Sequence, residues 1–316
     1  MRHTNYTIQS TRPARKVKRR YVIVLLFLSV FFSPGCRKDS GTRPAESPTG
    51  DSTGSSQTYA QQLANADWDS TWVSDAVLWK YYHFLNLFSA PESITVFDVD
   101  LNNKKLTVKI PYVTTGSFLK TSEGAASVGA VAAINGSYFD TKNGGSTVFF
   151  KIQGKIITQT STAIPSYRDN AGLSIDKNGK VSIIRRPTSG WETTNTYDLL
   201  TSGPILIYNG EVMDQVDDSF NNERNPRTAV GLTDDNHLIA VVVDGRFSQS
   251  AGMTTKELAE VMQALGCQTA MNLDGGGSST AWVKDRGVVN YPSDNKQFDH
   301  GGERAVATVI AFVMKN

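Results

Sequence analysis

Apolar residues recur at near-helical intervals from Tyr59 to Leu87, through Trp68, Trp72, Val73, Val77, Leu78, Tyr81, Tyr82 and Leu85. This spacing predicts an N-terminal helical segment over residues 59–92 whose aromatic stripe is packing. From Ser93 the period changes to two. The runs 94–100 and 105–110 flank Asn102-Asn103, which predicts a hairpin. Two further hairpins are expected, with turns at Asp176–Gly179 and Asp234–Asn236. Thr254 and Glu257 have the spacing of a capping box, and Leu258, Val261, Met262 and Leu265 share one helical face behind it. A last strand is expected over Ala305–Val313. Together these elements predict an α+β fold: a single domain of mixed, twisted β-sheets with a few helices, over residues 93–316.

The first 35 residues follow a different logic. Seven basic residues, Arg2, Arg12, Arg15, Lys16, Lys18, Arg19 and Arg20, precede the uncharged, mostly apolar run Tyr21–Phe32. As a helix that run would measure about 18 Å, short of the roughly 30 Å hydrocarbon core, so a signal peptide is expected rather than a permanent span. Ser33-Pro34-Gly35-Cys36 resembles a bacterial lipobox, with residues 1–35 as the signal and Cys36 as the lipidated residue. Residues 36–58 are rich in Ser, Thr, Gly and Pro and read as a flexible tether. The expected location is the cell envelope, lipid-anchored.

Charge changes meaning once the signal is set apart. The 316-residue chain carries 32 basic and 30 acidic residues, a net of +2. All seven basic residues of the signal leave with it, so the chain from Cys36 has a net charge of −5. No basic stripe remains to bind nucleic acid. Two cysteines exclude a disulfide-stapled fold and a four-cysteine zinc site, and Cys267 is expected to be a buried thiol.

The chain lacks GxxxxGK[ST], GxGxxG after a strand, GxSxG and HExxH, which removes the common nucleotide, hydrolase and zinc templates. What stands out is one arrangement used three times. An apolar strand runs into Asn135-Gly136-Ser137, another into Asp244-Gly245-Arg246, and a third into Asp274-Gly275-Gly276-Gly277-Ser278-Ser279. Glycine permits positive φ and close backbone approach, so successive amides can face an anion.

Asn135–Phe139 (NGSYF), Pro226–Gly231 (PRTAVG), Val241–Arg246 (VVVDGR) and Asn272–Ser279 (NLDGGGSS), in this order, resemble the phosphodiester glycosidase family. Ser202-Gly203-Pro204 before a hairpin over Ile205–Val212 fits as well. The chain departs from the family pattern at Asn225, often His, and at Ser137, often Gly.

The resemblance implies removal of N-acetylglucosamine from a sugar phosphodiester. It assigns catalysis to Asp244, Asp274, Arg227 and Asn135. Substrate binding falls to Gly275, Gly276, Gly277, Ser278, Arg246 and Arg304.

Chemistry agrees with that choice. A phosphodiester is a fixed monoanion that suits a planar guanidinium fork, and the Gly275–Gly277 amides could complete an anion cradle. If the sugar C1–O bond breaks, the leaving phosphate monoester is a weak base, and one carboxylate, Asp274 or Asp244, suffices as nucleophile or base. C–O cleavage is therefore favoured over P–O cleavage, which usually recruits metal ions. No cofactor is required; calcium or magnesium on Asp244, Asp274 or Asp140 stays open. The expected partner is a sugar-phosphodiester or anionic glycan. Two alternatives remain: a non-catalytic lipoprotein that binds anionic glycans, and a processing enzyme of exopolysaccharide or wall polymers.

Overall fold

The computed structural model describes residues 57–315. The signal peptide, Cys36 and the tether up to residue 56 lie outside the described residues. The described residues form one compact unit.

The core is built on an eight-stranded sheet. Its strand order is Asp69–Ser74, Val77–Leu87, Ala90–Asp100, His237–Val243, Arg227–Thr233, Cys267–Asn272, Ile205–Tyr208 and Glu211–Val212. A five-stranded sheet centred on Ala132–Asn135 and Val309–Met314 packs with it, as does another centred on Ala171–Ile175 and Asp198–Ser202. The central strand His237–Val243 is apolar almost throughout because both of its faces are covered. Leu238, Ala240 and Val242 join Ile134, Leu173 and Phe312 in one core. Ile239, Val241 and Val243 meet Leu258, Val261 and Met262 of the helix Thr255–Ala264 in another.

The helix and two of the hairpins form where the pattern puts them. Thr254 accepts from the Glu257 amide and Glu257 accepts from the Thr254 amide, closing the capping box. Ala171–Ile175 pairs with Val181–Arg185 across Asp176–Gly179, and Arg227–Thr233 with His237–Val243 across Asp234–Asn236. Cys267 is buried, which pushes its thiol up to about 12.

Four expectations are corrected. First, pairing is antiparallel throughout the described strands rather than mixed, and the fold is mostly β with four α-helices, Tyr59–Ala64, Thr121–Ser127, Ser219–Asn222 and Thr255–Ala264. Second, residues 59–92 are not a helical segment: after Tyr59–Ala64 the chain forms strands Asp69–Ser74 and Val77–Leu87. An i, i+4 spacing is also even, so it satisfies a strand, and the aromatic and β-branched residues decide for the strand. Tyr82 and Phe84 accordingly pack edge to face on one strand face, 4.6 Å between centroids, with Trp68 against both.

Third, the runs around Asn102-Asn103 do not pair with each other. Ala90–Asp100 lies in the main sheet and Leu106–Lys109 pairs with Val309–Met314 in another. The turn docks on its neighbour instead: Asn102 Nδ2 donates to the Asp235 carbonyl at 2.9 Å and Asn102 Oδ1 accepts from Asn236. Fourth, the last strand is broken into Ala305–Val306 and Val309–Met314. Thr308, at the break, accepts from the Ser137 amide, and a Cβ on Gly136 would lie 2.3 Å from its hydroxyl.

Candidate functional site

The strands ending at Val243 and Asn272 run the same way on either side of Arg227–Thr233, which runs against them. Asp244 and Asp274 therefore leave the sheet at the edge where Arg227 enters it. A cavity of about 440 Å³ opens there, lined by Phe220, Asn225, Arg227, Arg246, Asp274, Gly275–Gly277 and Arg304, with Glu223 at its rim.

Arg227 is 2% exposed and has no carboxylate within 4.0 Å among the described residues. Its Nε donates to the Met253 carbonyl at 2.8 Å, and one Nη donates to the carbonyls of Phe220 and Glu223. Burial lowers its pKa to about 10, and Arg168 and Arg246 push the same way, so it remains a cation at neutral pH.

Asp274 is part-exposed in the cavity. Its Oδ1 accepts from the Gly275 amide at 3.0 Å. Desolvation raises its pKa to about 6, against the opposing pull of Ser278, Arg168 and Arg304. A carboxyl poised there can take or give a proton near neutral pH.

Asp244 goes elsewhere. It is 1% exposed, and its Oδ1 accepts from Asn290 Nδ2 at 2.8 Å and from the Tyr291 amide at 2.9 Å. Its Oδ2 has no partner, and burial raises its pKa to about 7. It does not line the cavity that holds Asp274. Asn135 is fully buried and spent on structure. Its Nδ2 donates to the Asp274 carbonyl at 2.7 Å, and its Oδ1 accepts from Thr228 Oγ1 and the Thr280 amide. It is a positioning residue for the Asp274 backbone. Asp140 caps its own exposed loop through Lys142 and Asn143. The three candidate metal-binding aspartates are thus not gathered, and no cluster of three His, Cys, Asp or Glu suited to a cation occurs among the described residues.

The glycine loop packs directly on two arginines. Gly276 has a left-handed φ of +61°, and a Cβ there would lie 3.1 Å from the Arg246 guanidinium; on Gly277 it would lie 2.4 Å from that of Arg304. Two of the three glycine amides are committed, Gly275 to Asp274 and Gly276 to the Pro226 carbonyl at 2.8 Å, so the expected three-amide cradle is not free. Ser278 is buried, with its hydroxyl near enough to Asp274 to favour the ionised carboxylate. Arg246, exposed, donates through Nε and Nη to Asn225 Oδ1, the position where the chain departs from the family pattern. Arg304 pairs with Asp294, while the adjacent Glu303 accepts from the amide and hydroxyl of Ser122.

The motifs did not reveal Arg168, Phe220 or Glu223. Arg168 lies in a short 3-10 turn, Ser166–Asp169, with no motif around it. Its guanidinium sits 4.3 Å from the ring centroids of both Tyr138 and Phe220.

A model of the phosphodiester glycosidase family matches residues 128–313. The chain belongs to the phosphodiester glycosidase family. That match includes all the strand-end motifs above. Among curated proteins, N-acetylglucosamine-1-phosphodiester alpha-N-acetylglucosaminidase of Mus musculus is 29% identical over 205 residues, 59% of this chain and 38% of its own length. The Bos taurus protein of that name is 35% identical over 135 residues, 38% of this chain and 25% of its own. The SPbeta prophage-derived uncharacterized protein YomE of Bacillus subtilis is 37% identical over 89 residues, 28% of this chain and 13% of its own. The chain thus spans well under half the length of these curated relatives.

Among solved structures, the zebrafish N-acetylglucosamine-1-phosphodiester alpha-N-acetylglucosaminidase catalytic domain, auto-inhibited by its pro-peptide, superposes with a TM-score of 0.60 at 21% identity, covering 80% of this chain and 85% of that one. A hypothetical protein from Synechocystis gives 0.61 at 14% identity, covering 80% and 65%. At these identities the likeness establishes the fold alone.

Proposed function

We propose that this domain hydrolyses a sugar-1-phosphodiester, of the kind that carries N-acetylglucosamine, at the sugar C1–O bond. The observation that carries the reading is the meeting of Asp274 and Arg227 in one cavity, whose volume of about 440 Å³ suits a small ligand. In this reading Arg227, held by three carbonyls and lacking an acid partner, takes a phosphate oxygen and stabilises the departing monoester. Asp274 acts on the sugar side, as nucleophile or as base for water. Asp244, outside the cavity, holds Asn290 and the Tyr291 amide. The family membership and the curated relatives named for this chemistry support the same reading.

The test is incubation of the purified protein with an α-N-acetylglucosamine 1-phosphodiester in 18O water. Label in the released sugar is expected. Label in the phosphate would overturn C–O cleavage, and no turnover across a panel of sugar phosphodiesters would overturn the enzyme reading in favour of a glycan-binding protein.

We further propose lipid anchoring through Cys36 in the cell envelope, supported by the basic, apolar and Gly-Cys pattern of residues 2–36. Labelling with a fatty-acid analogue is expected to fail in Cys36→Ser, and label retained there would refute it.

A further inference from the structure

Two guanidiniums share one aromatic ring beside the cavity. Phe220 has Arg168 at 4.3 Å and Arg227 at 5.0 Å from its ring centroid. Among the described residues neither arginine has a carboxylate within 4.0 Å. The Nε of Arg168 is buried and has no hydrogen-bond partner. Two like charges beside one ring repel, and a buried donor left unpaired is costly, so the arrangement favours a bound anion.

The geometry is also fixed. Tyr138, 3% exposed, also holds the Arg168 guanidinium, 4.3 Å from its ring centroid. Asp169, next in sequence, is buried and accepts from Thr160, Arg186 and Trp191, which anchors the turn. On the other side, the Tyr167 hydroxyl donates to Asp218, the N-cap of the helix Ser219–Asn222 that carries Phe220. The arginine and its ring are thus tied together through their immediate neighbours. Arg168 also lies near enough to Asp274 to favour its ionised form.

We propose that Arg168 is a second phosphate-binding residue of this site, forming with Arg227 and the intervening Phe220 a two-armed clamp for a phosphoryl group. This rests on the sugar-phosphodiester reading only for the identity of the substrate; the clamp itself requires phosphate. The two rings hold the guanidinium by cation–π attraction, which does not use up its N–H donors.

The test is calorimetric titration of the purified wild type, Arg168→Ala and Arg168→Lys with inorganic phosphate, alongside steady-state turnover of an α-N-acetylglucosamine 1-phosphodiester. Arg168→Ala is expected to weaken phosphate binding about ten- to hundred-fold, the range of a lost charge-assisted contact, with lysine restoring part of it. KM is expected to rise by a similar factor. Unchanged phosphate affinity in Arg168→Ala, or its unchanged turnover of a substrate that wild type hydrolyses, would overturn the clamp while leaving the glycosidase reading in place. Arg168-dependent phosphate binding without turnover by wild type would uphold the clamp and sink the glycosidase reading.

Discussion

Replacing Asp274 by Asn should stabilise the protein while removing its activity. In the folded chain desolvation raises the Asp274 pKa to about 6 from its ordinary value of 3.8. A carboxyl with a raised folded pKa binds more protons folded than unfolded between those values. Stability therefore falls as pH rises through that window and levels off above it. A gap of about 2 pH units corresponds to about 3 kcal/mol at 1.36 kcal/mol each, and solvent reaching the cavity-facing oxygen brings the expected figure nearer 2 kcal/mol.

Asn lacks the titration and can still accept from the Gly275 amide through its own oxygen. Urea unfolding of wild type and Asp274→Asn at pH 4 and pH 8 isolates the effect, because other titrations cancel in the difference. The variant should be nearly equal to wild type at pH 4 and more stable by about 2 kcal/mol at pH 8. A difference that stays the same at both pH values would refute the raised pKa, and full activity would refute the role.

Arg227→Ala should abolish turnover and also cost about 1–3 kcal/mol in urea unfolding, since the carbonyls of Met253, Phe220 and Glu223 lose a charged donor; a fully active variant would contradict the site. Gly277→Ala should displace Arg304 from Asp294, because its Cβ would lie 2.4 Å from the guanidinium. A raised KM with little change in melting temperature is the expected reading. Thr254→Ala should cost about 1 kcal/mol through the lost cap and leave kcat unchanged, which makes it a control for stability alone.

Much of the site was legible because its residues sit at strand ends marked by glycine. Asp274 and Arg227 were visible as letters in NLDGGGSS and PRTAVG, and the structure brings them into one cavity. Asp244 carried an equally strong Asp-Gly mark, yet its carboxylate is held by Asn290 and Tyr291 away from that cavity. One-dimensional pattern has no information on which sheet face a residue beyond the strand end will choose. Arg168 was invisible for a different reason. It lies beside the site, against Phe220, on a turn between distant strands, and its neighbours Tyr138 and Phe220 lie 30 and 52 positions away. The strand at 77–87 was misread because aromatic spacing alone does not separate a period of 3.6 from a multiple of two.

The cavity is built from two kinds of anchorage. Its floor, Arg227 and the Asp274 backbone held by Asn135, is fastened to main-chain carbonyls and buried strands. Its mouth, Arg246 and Arg304, is fastened only to side chains on exposed loops, Asn225 and Asp294. Exchanges at the mouth can therefore accumulate without disturbing the floor, so under the proposed reading a change of the accepted alcohol would fall on Arg246, Arg304 and their loop partners while Arg227 and Asp274 keep their places.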